Sequence, residues 1–198
     1  MRIPDKYSLM ELYHNRNFSV KVIADTLNCS ENKINYWFKK YGIRKRSISE
    51  AIYLKRNPAG DPFKKKELKT SEDFLLYGLG LGLYWGEGTK SNKLSVRLGN
   101  TNPLIIKTFL KFLYEIYAVD KNKLKFGLQV FNDMDPKKAK EFWITELQTT
   151  SDKFQKVIVS SPVGNGTYKN KTKYGVLTVY LHNKKLRDIL CSEVEKIK

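Results

Sequence analysis

The sequence predicts an α+β protein: a small N-terminal three-helix domain, then a larger domain with helices on one face of an antiparallel sheet. Three observations predict it. Residues 6–47 read as three short helices. Beyond residue 72, helical stretches alternate with segments whose apolar residues fall at every second position, as at Leu124, Phe126, Leu128 and Val130. Between the two, Pro58, Gly60 and Pro62 punctuate a stretch that also carries Lys64, Lys65 and Lys66. The expected boundaries are 1–47 for the first domain, 48–71 for a basic linker with some helix over 49–55, and 72–198 for the second domain.

Charge bounds the function. The chain has 198 residues, with 37 Lys and Arg against 20 Asp and Glu, a net +17. Such an excess favours a polyanionic partner, because each neutralised phosphate releases condensed counterions. Double-stranded DNA is the leading candidate and an anionic membrane surface the rival. Residues 1–70 hold 16 basic and 7 acidic residues, so both domains share the excess. Cys29 and Cys191, like His14 and His182, do not cluster, which argues against a zinc site and a disulfide framework. No apolar leader is evident, and the longest uncharged apolar run, Phe74 to Gly86, falls short of the ~20 residues that span a bilayer. The expectation is a cytoplasmic protein without membrane attachment.

The elements of the first domain follow from local signals. In Ser19 to Lys40, Ala24 is small where two helices approach closely, and Ile23, Leu27, Ile34 and Trp37 are spaced to fill a shared core. Asn28 sits at a turn that needs positive φ, and Ser30 is a good N-cap for the helix that follows. Gly42 ends that helix. The stretch resembles the helix-turn-helix of resolvases and other homeodomain-like bacterial regulators. On that resemblance the second helix reads DNA, with Glu31, Asn32, Lys33, Asn35, Tyr36 and Lys39 exposed, and Asn and Lys suited to base edges and phosphates. Arg44, Lys45 and Arg46 form a basic arm beyond it. The alternative is a protein-interaction module with a solvated basic face.

In the second domain the pattern predicts helices over 73–86, 103–117, 136–147 and 183–197, with strands over 94–99, 124–131, 154–160 and 174–182. One sheet face is apolar. The other carries Lys93, Ser95, Arg97, Lys125, Gln129, Thr178, Tyr180 and His182.

The first of those helices is unusual. Gly78, Gly82 and Gly86 recur every four residues and line one face. With Gly80 they cost a helix about 2–4 kcal/mol relative to alanine. Such a helix needs another backbone close by. A dinucleotide fingerprint fails on spacing, since the third glycine position from Gly80 is Trp85, and no Walker lysine follows. A structural glycine helix with a solvent-facing Glu87 is the plain alternative.

The run from Gly80 to Gly88, G-L-G-L-Y-W-G-E-G, resembles the motif of the LAGLIDADG homing endonucleases. The resemblance continues through Leu94 to Asn102 and the helix carrying Phe109 to Leu113. It implies two motif helices packed together, an acidic residue (here Glu87) binding divalent metal at the scissile phosphates, and a DNA-reading sheet. The family's polar residue past the second strand corresponds to Asn102. Its basic residue falls near Ile106, beside Lys107, and Lys171 and Lys173 are candidates for the other. The implied activity is Mg²⁺-dependent phosphodiester hydrolysis, with Glu87 and Asn102 catalytic and Lys93, Arg97 and Lys173 joining the DNA contacts. One motif implies a homodimer. A degenerate repeat, Val96-x-Leu98-x-Asn100 echoed by Val179-x-Leu181-x-Asn183 with Trp143 echoing Trp85, would instead make a pseudo-symmetric monomer. A non-cleaving DNA-binding transcription regulator and a structural or RNA-binding role are the other readings.

Overall fold

The computed structural model describes residues 4–161 and 172–196. It divides into two compact units, Met1–Asp61 and Pro62–Lys198.

The first unit is helical. α1 (Lys6–Met10) runs on through a π-helical turn, Glu11–Asn15, and is followed by α2 (Val20–Thr26), α3 (Glu31–Tyr41) and α4 (Ile48–Arg56). Caps set the helix starts. Ser19 accepts from the Val22 N–H, Ser30 from Lys33, and Ser47 forms a reciprocal box with Glu50. Asn28 (φ 48°) turns the chain between α2 and α3, and Gly42 (φ 64°) ends α3 in the left-handed region, as expected. Leu9, Tyr13, Ile23, Ala24, Ile34, Trp37, Phe38 and Ile43 make one core, with Leu27 partly buried against it.

The second unit is α+β. Its helices are α5 (Ser71–Glu87), α6 (Pro103–Glu115), α7 (Pro136–Leu147) and α8 (Lys184–Glu195). Its strands are β1 (Val96–Asn100), β2 (Leu124–Phe131), β3 (Ile158–Ser160) and β4 (Val176–Leu181), in the order β1-β4-β2-β3. All four helices contribute to a single core with the inward strand residues, among them Val96, Leu98, Leu124, Phe126, Leu128, Val130, Leu177, Val179 and Leu181. Helices therefore cover one sheet face, and the outward positions of the other stay partly or fully exposed.

Several expectations are corrected. The sheet is mixed: β1 and β2 pair antiparallel with β4, but β3 pairs parallel with β2. The reason is α7, a crossover that returns the chain in the direction it left. β3 is also shorter than the alternation predicts, with Phe154 making only an isolated bridge to Phe126. Ser95 is fully buried and Leu94 is exposed, because regular pairing begins at Val96. The linker splits: α4 belongs to the first unit, whereas residues from Pro62 onward belong to the second. There Phe63 and Leu68 pack against the core. The Lys64 and Lys66 N–H groups donate to the Tyr117 and Ile116 carbonyls, at 2.9 and 2.7 Å. Those carbonyls are left without helical partners just past α6, so an extended basic segment finds ready acceptors there.

Each of the two echoing segments leads into a helix, α6 after β1 and α8 after β4. β1 and β4, which carry the two echoing patterns, are neighbours in one sheet over one core. Trp143 is fully buried, its Nε1 donating to the Tyr174 carbonyl at 2.9 Å, while Trp85 is 48% exposed.

α5 starts from a second reciprocal box, Thr70 with Asp73. The Asp73 carboxylate also accepts from Lys66 Nζ at 2.7 Å and from the Lys69 N–H at 3.1 Å. The Lys66 hydrogen bond, with those backbone N–H groups, pulls its pKa down from 3.8 to about 2. A carboxylate depressed in the folded state stabilises fully above its unfolded pKa and loses that contribution as pH falls through the folded value. The clasp therefore lets go between about pH 4 and pH 2. Asp73→Asn is expected to lower Tm by roughly 2–5 °C at pH 7 and to flatten the acid limb of the stability curve in that window, read by circular dichroism. An unchanged acid limb would refute the assignment.

Candidate functional site

Glu87 is the last residue of α5 and is exposed, with no hydrogen bond or ion pair among the described residues. A helix C-terminus carries partial negative charge and unpaired carbonyls, so a cation is favoured there. Immediately after it the chain reaches the sheet. Gly88 bridges antiparallel to Leu98, and the Thr89 N–H donates to the Arg97 carbonyl at 3.0 Å. Glu87 thus stands at the outer edge of β1, where α5 hands over to the sheet.

The glycines of α5 divide into two sets. Gly80 faces inward, and a Cβ there would lie 2.1 Å from the Phe112 ring. Gly78, Gly82 and Gly86 face open space, with nothing within 4 Å of a built Cβ. The close second backbone expected along this stripe is not supplied by the described residues of the chain. Around the stripe Phe74, Leu75, Leu79 and Trp85 are 58, 64, 49 and 48% exposed. One face of α5 is therefore smooth, apolar and unpartnered within the described residues.

Asn102 caps α6. Its Oδ1 accepts from the Leu104 N–H at 2.9 Å, and its own N–H donates to Asn100 Oδ1. A capping role accounts for this residue, and no contact among the described residues joins it to Glu87. Ile106 is fully buried, and Lys107 is paired with Glu146 at 2.5 Å. Lys173 is exposed just before β4, at the opposite end of the sheet from the exposed Lys93. Lys171 lies outside the described residues.

On the uncovered sheet face the register lines up Arg97, Tyr180 and Lys125 across β1, β4 and β2, and Gly99, Thr178 and Gly127 in the next row. No outward position of these three strands is acidic. Among the described residues, Asp, Glu, His and Cys nowhere gather in groups of three that could hold a metal. No family model, curated protein or solved structure matches the chain.

In the first unit, α3 exposes Glu31, Asn32, Tyr36, Lys39 and Lys40, with Tyr36 59% accessible. Lys33 and Asn35 are only half exposed, and Asn35 Oδ1 is buried with no hydrogen-bond partner among the described residues. Arg44 is exposed, but the arm does not extend as expected. The Arg46 guanidinium lies 4.1 Å over the Tyr13 ring and donates to the Asn17 and Phe18 carbonyls, while its N–H donates to Tyr13 Oη at 2.9 Å. Arg46 is held against the helical core rather than free for phosphate.

Sequence reasoning missed Arg187. From α8 its Nε donates to the Asn92 carbonyl at 3.2 Å, and a second nitrogen donates to the Lys90 carbonyl. It anchors the loop between Glu87 and β1. No local pattern announces a contact between residues 95 apart; a lone arginine on an amphipathic helix reads as a solvated charge.

Proposed function

We propose that this protein is a site-specific DNA-binding protein that acts as a homodimer and cleaves DNA with Mg²⁺. The open glycine face of α5, ending in an exposed carboxylate at the sheet edge, carries this reading. Apposing two copies of that face would cover Phe74, Leu75, Leu79 and Trp85 and bring two Glu87 carboxylates close together. Glu87, its counterpart in the second copy and DNA phosphate oxygens would then hold the metal, consistent with the oxygen donors Mg²⁺ prefers. Bound Mg²⁺ lowers the pKa of water and offsets charge on the leaving oxygen. The chain's own residues do the rest. The acid-free sheet face lies along the duplex, Arg187 steadies the loop after Glu87, and α3 makes a second contact in the manner of a helix-turn-helix recognition helix. Purified protein incubated with a randomised duplex library and Mg²⁺ tests the activity: cut ends at a preferred sequence support it.

The basic composition and the exposed α3 face equally suit a DNA-binding transcription regulator that does not cleave. Tight, sequence-selective binding with no Mg²⁺-dependent cutting anywhere in the library decides for that reading. The contribution of α3 is separable from both. Replacing Lys33 and Lys39 with alanine is expected to weaken binding across all sequences and to reduce the slope of log K against log salt by about 2, as two lost phosphate contacts require. An unchanged slope would remove α3 from the interface.

A further inference from the structure

Arg97 differs from the other cations on the sheet in how firmly it is held. Its Nε donates to Ser95 Oγ at 2.8 Å. Ser95 is fully buried and donates in turn to Asn92 Oδ1 at 2.9 Å. Asn92 Oδ1 also accepts the N–H groups of Leu94 and Ser95, both at 3.0 Å, and the Asn92 carbonyl is the one Arg187 holds. The Arg97 guanidinium lies 5.0 Å over the Tyr180 ring. Tyr180 is itself placed by Gly127, where any Cβ would come within 2.6 Å of the ring. A relay from α8 through the loop to β1 thus fixes one edge of the guanidinium, and an aromatic ring supports one face. Among the described residues, no other group hydrogen-bonds the Arg97 guanidinium, so its two terminal nitrogens remain as a planar fork.

We infer that Arg97 is a specificity-determining residue that reads guanine. The inference rests on the proposed DNA-binding role of this sheet face. A planar fork of two donors matches the O6 and N7 acceptors of guanine in the major groove, the commonest arginine–base contact. A phosphate can also accept such a fork, but two features favour the base. Freely rotating lysines suffice for phosphates, whereas a base edge rewards a donor pair whose geometry is set beforehand. Beside Arg97 the floor is also low at Gly99, next outward on the same strand, where the nearest atom to an added Cβ is the small Thr178 hydroxyl at 3.0 Å, so an edge can approach the backbone closely. Ser95 and Tyr180 act through Arg97 and are positioning residues.

The test uses the full chain without Mg²⁺, selecting bound sequences from a randomised duplex library, with affinities then measured as salt is varied. Wild-type protein should require guanine at one or more positions. Arg97→Ala and the charge-retaining Arg97→Lys should both relax that preference by about tenfold or more, leaving preferences elsewhere and the salt slope nearly unchanged. Tyr180→Phe should keep the guanine preference and Tyr180→Leu should lose much of it, since the ring face is what counts. Ser95→Ala should weaken it partially, with Tm recorded for each variant to separate misfolding. If Arg97→Ala instead weakens all sequences alike and lowers the salt slope by about one, the residue contacts phosphate and the inference is overturned while the sheet's role stands. If both Arg97→Ala and Lys125→Ala leave binding untouched, the sheet face does not meet DNA, and both readings fall.

Discussion

Glu87→Gln is expected to leave DNA affinity within a few-fold of wild type and to reduce Mg²⁺-dependent cleavage by at least about 10²-fold, the loss typical when a charge-stabilising group leaves a reacting centre. The substitution is nearly isosteric, and Glu87 is exposed and makes no hydrogen bond among the described residues, so folding should not change. What changes is the oxygen donor. A neutral amide is a far poorer partner for Mg²⁺ than a carboxylate, and in the proposed site it would no longer offset the metal's charge. On the proposed reading, binding depends instead on α3 and the sheet face, which the substitution does not touch. Nicking of a selected duplex, followed over a series of Mg²⁺ concentrations, gives the answer. Equal cleavage by the variant would move catalysis away from α5 altogether.

The triple variant Gly78→Ala, Gly82→Ala and Gly86→Ala sets two outcomes against each other. If α5 faces only water, each alanine should stabilise the helix by about 0.5–1 kcal/mol, because nothing lies within 4 Å of the added Cβ. If that face packs on a second copy, the three methyl groups enter a close backbone contact, and self-association should weaken by tenfold or more, since overpacking costs about 1–3 kcal/mol. Light scattering reads the difference: the mass should fall from that of two copies toward the 23.1 kDa of one, while the isolated chain melts at or above the wild-type temperature. A wild-type protein that is a monomer both alone and on DNA would leave Glu87 without its counterpart. Gly80→Ala is the internal control. It should destabilise the fold itself, since its Cβ would press into Phe112.

Helix positions were legible because caps and apolar spacing are local. Ser30, Asn28 and Gly42 announce the bounds of α3, and Pro136 to Leu147 is read correctly from its own pattern. The strand cores at Leu124 to Val130 and at Val179 and Leu181 were legible for the same reason, since alternation reports a sheet with one covered face. Site residues were harder. Asn102, Arg46 and Asn35 all have side chains suited to binding, yet each is wholly or partly taken up by the chain's own needs: a cap, a cation–π contact, a half-buried helix face. Residue type shows what a side chain can bond, not whether the fold has already claimed it.

Composition alone establishes the strong positive charge, and local periodicity establishes a helical domain followed by an α+β domain. Those properties depend on residue type and on neighbours a few positions away. Packing over longer range decided which glycines meet Phe112 and which meet solvent, that β3 runs parallel to β2, and that Arg187 reaches back to Asn92. Such contacts join residues far apart in the chain, and their pairing depends on how every element between them fills the shared core, information that no short window of sequence carries.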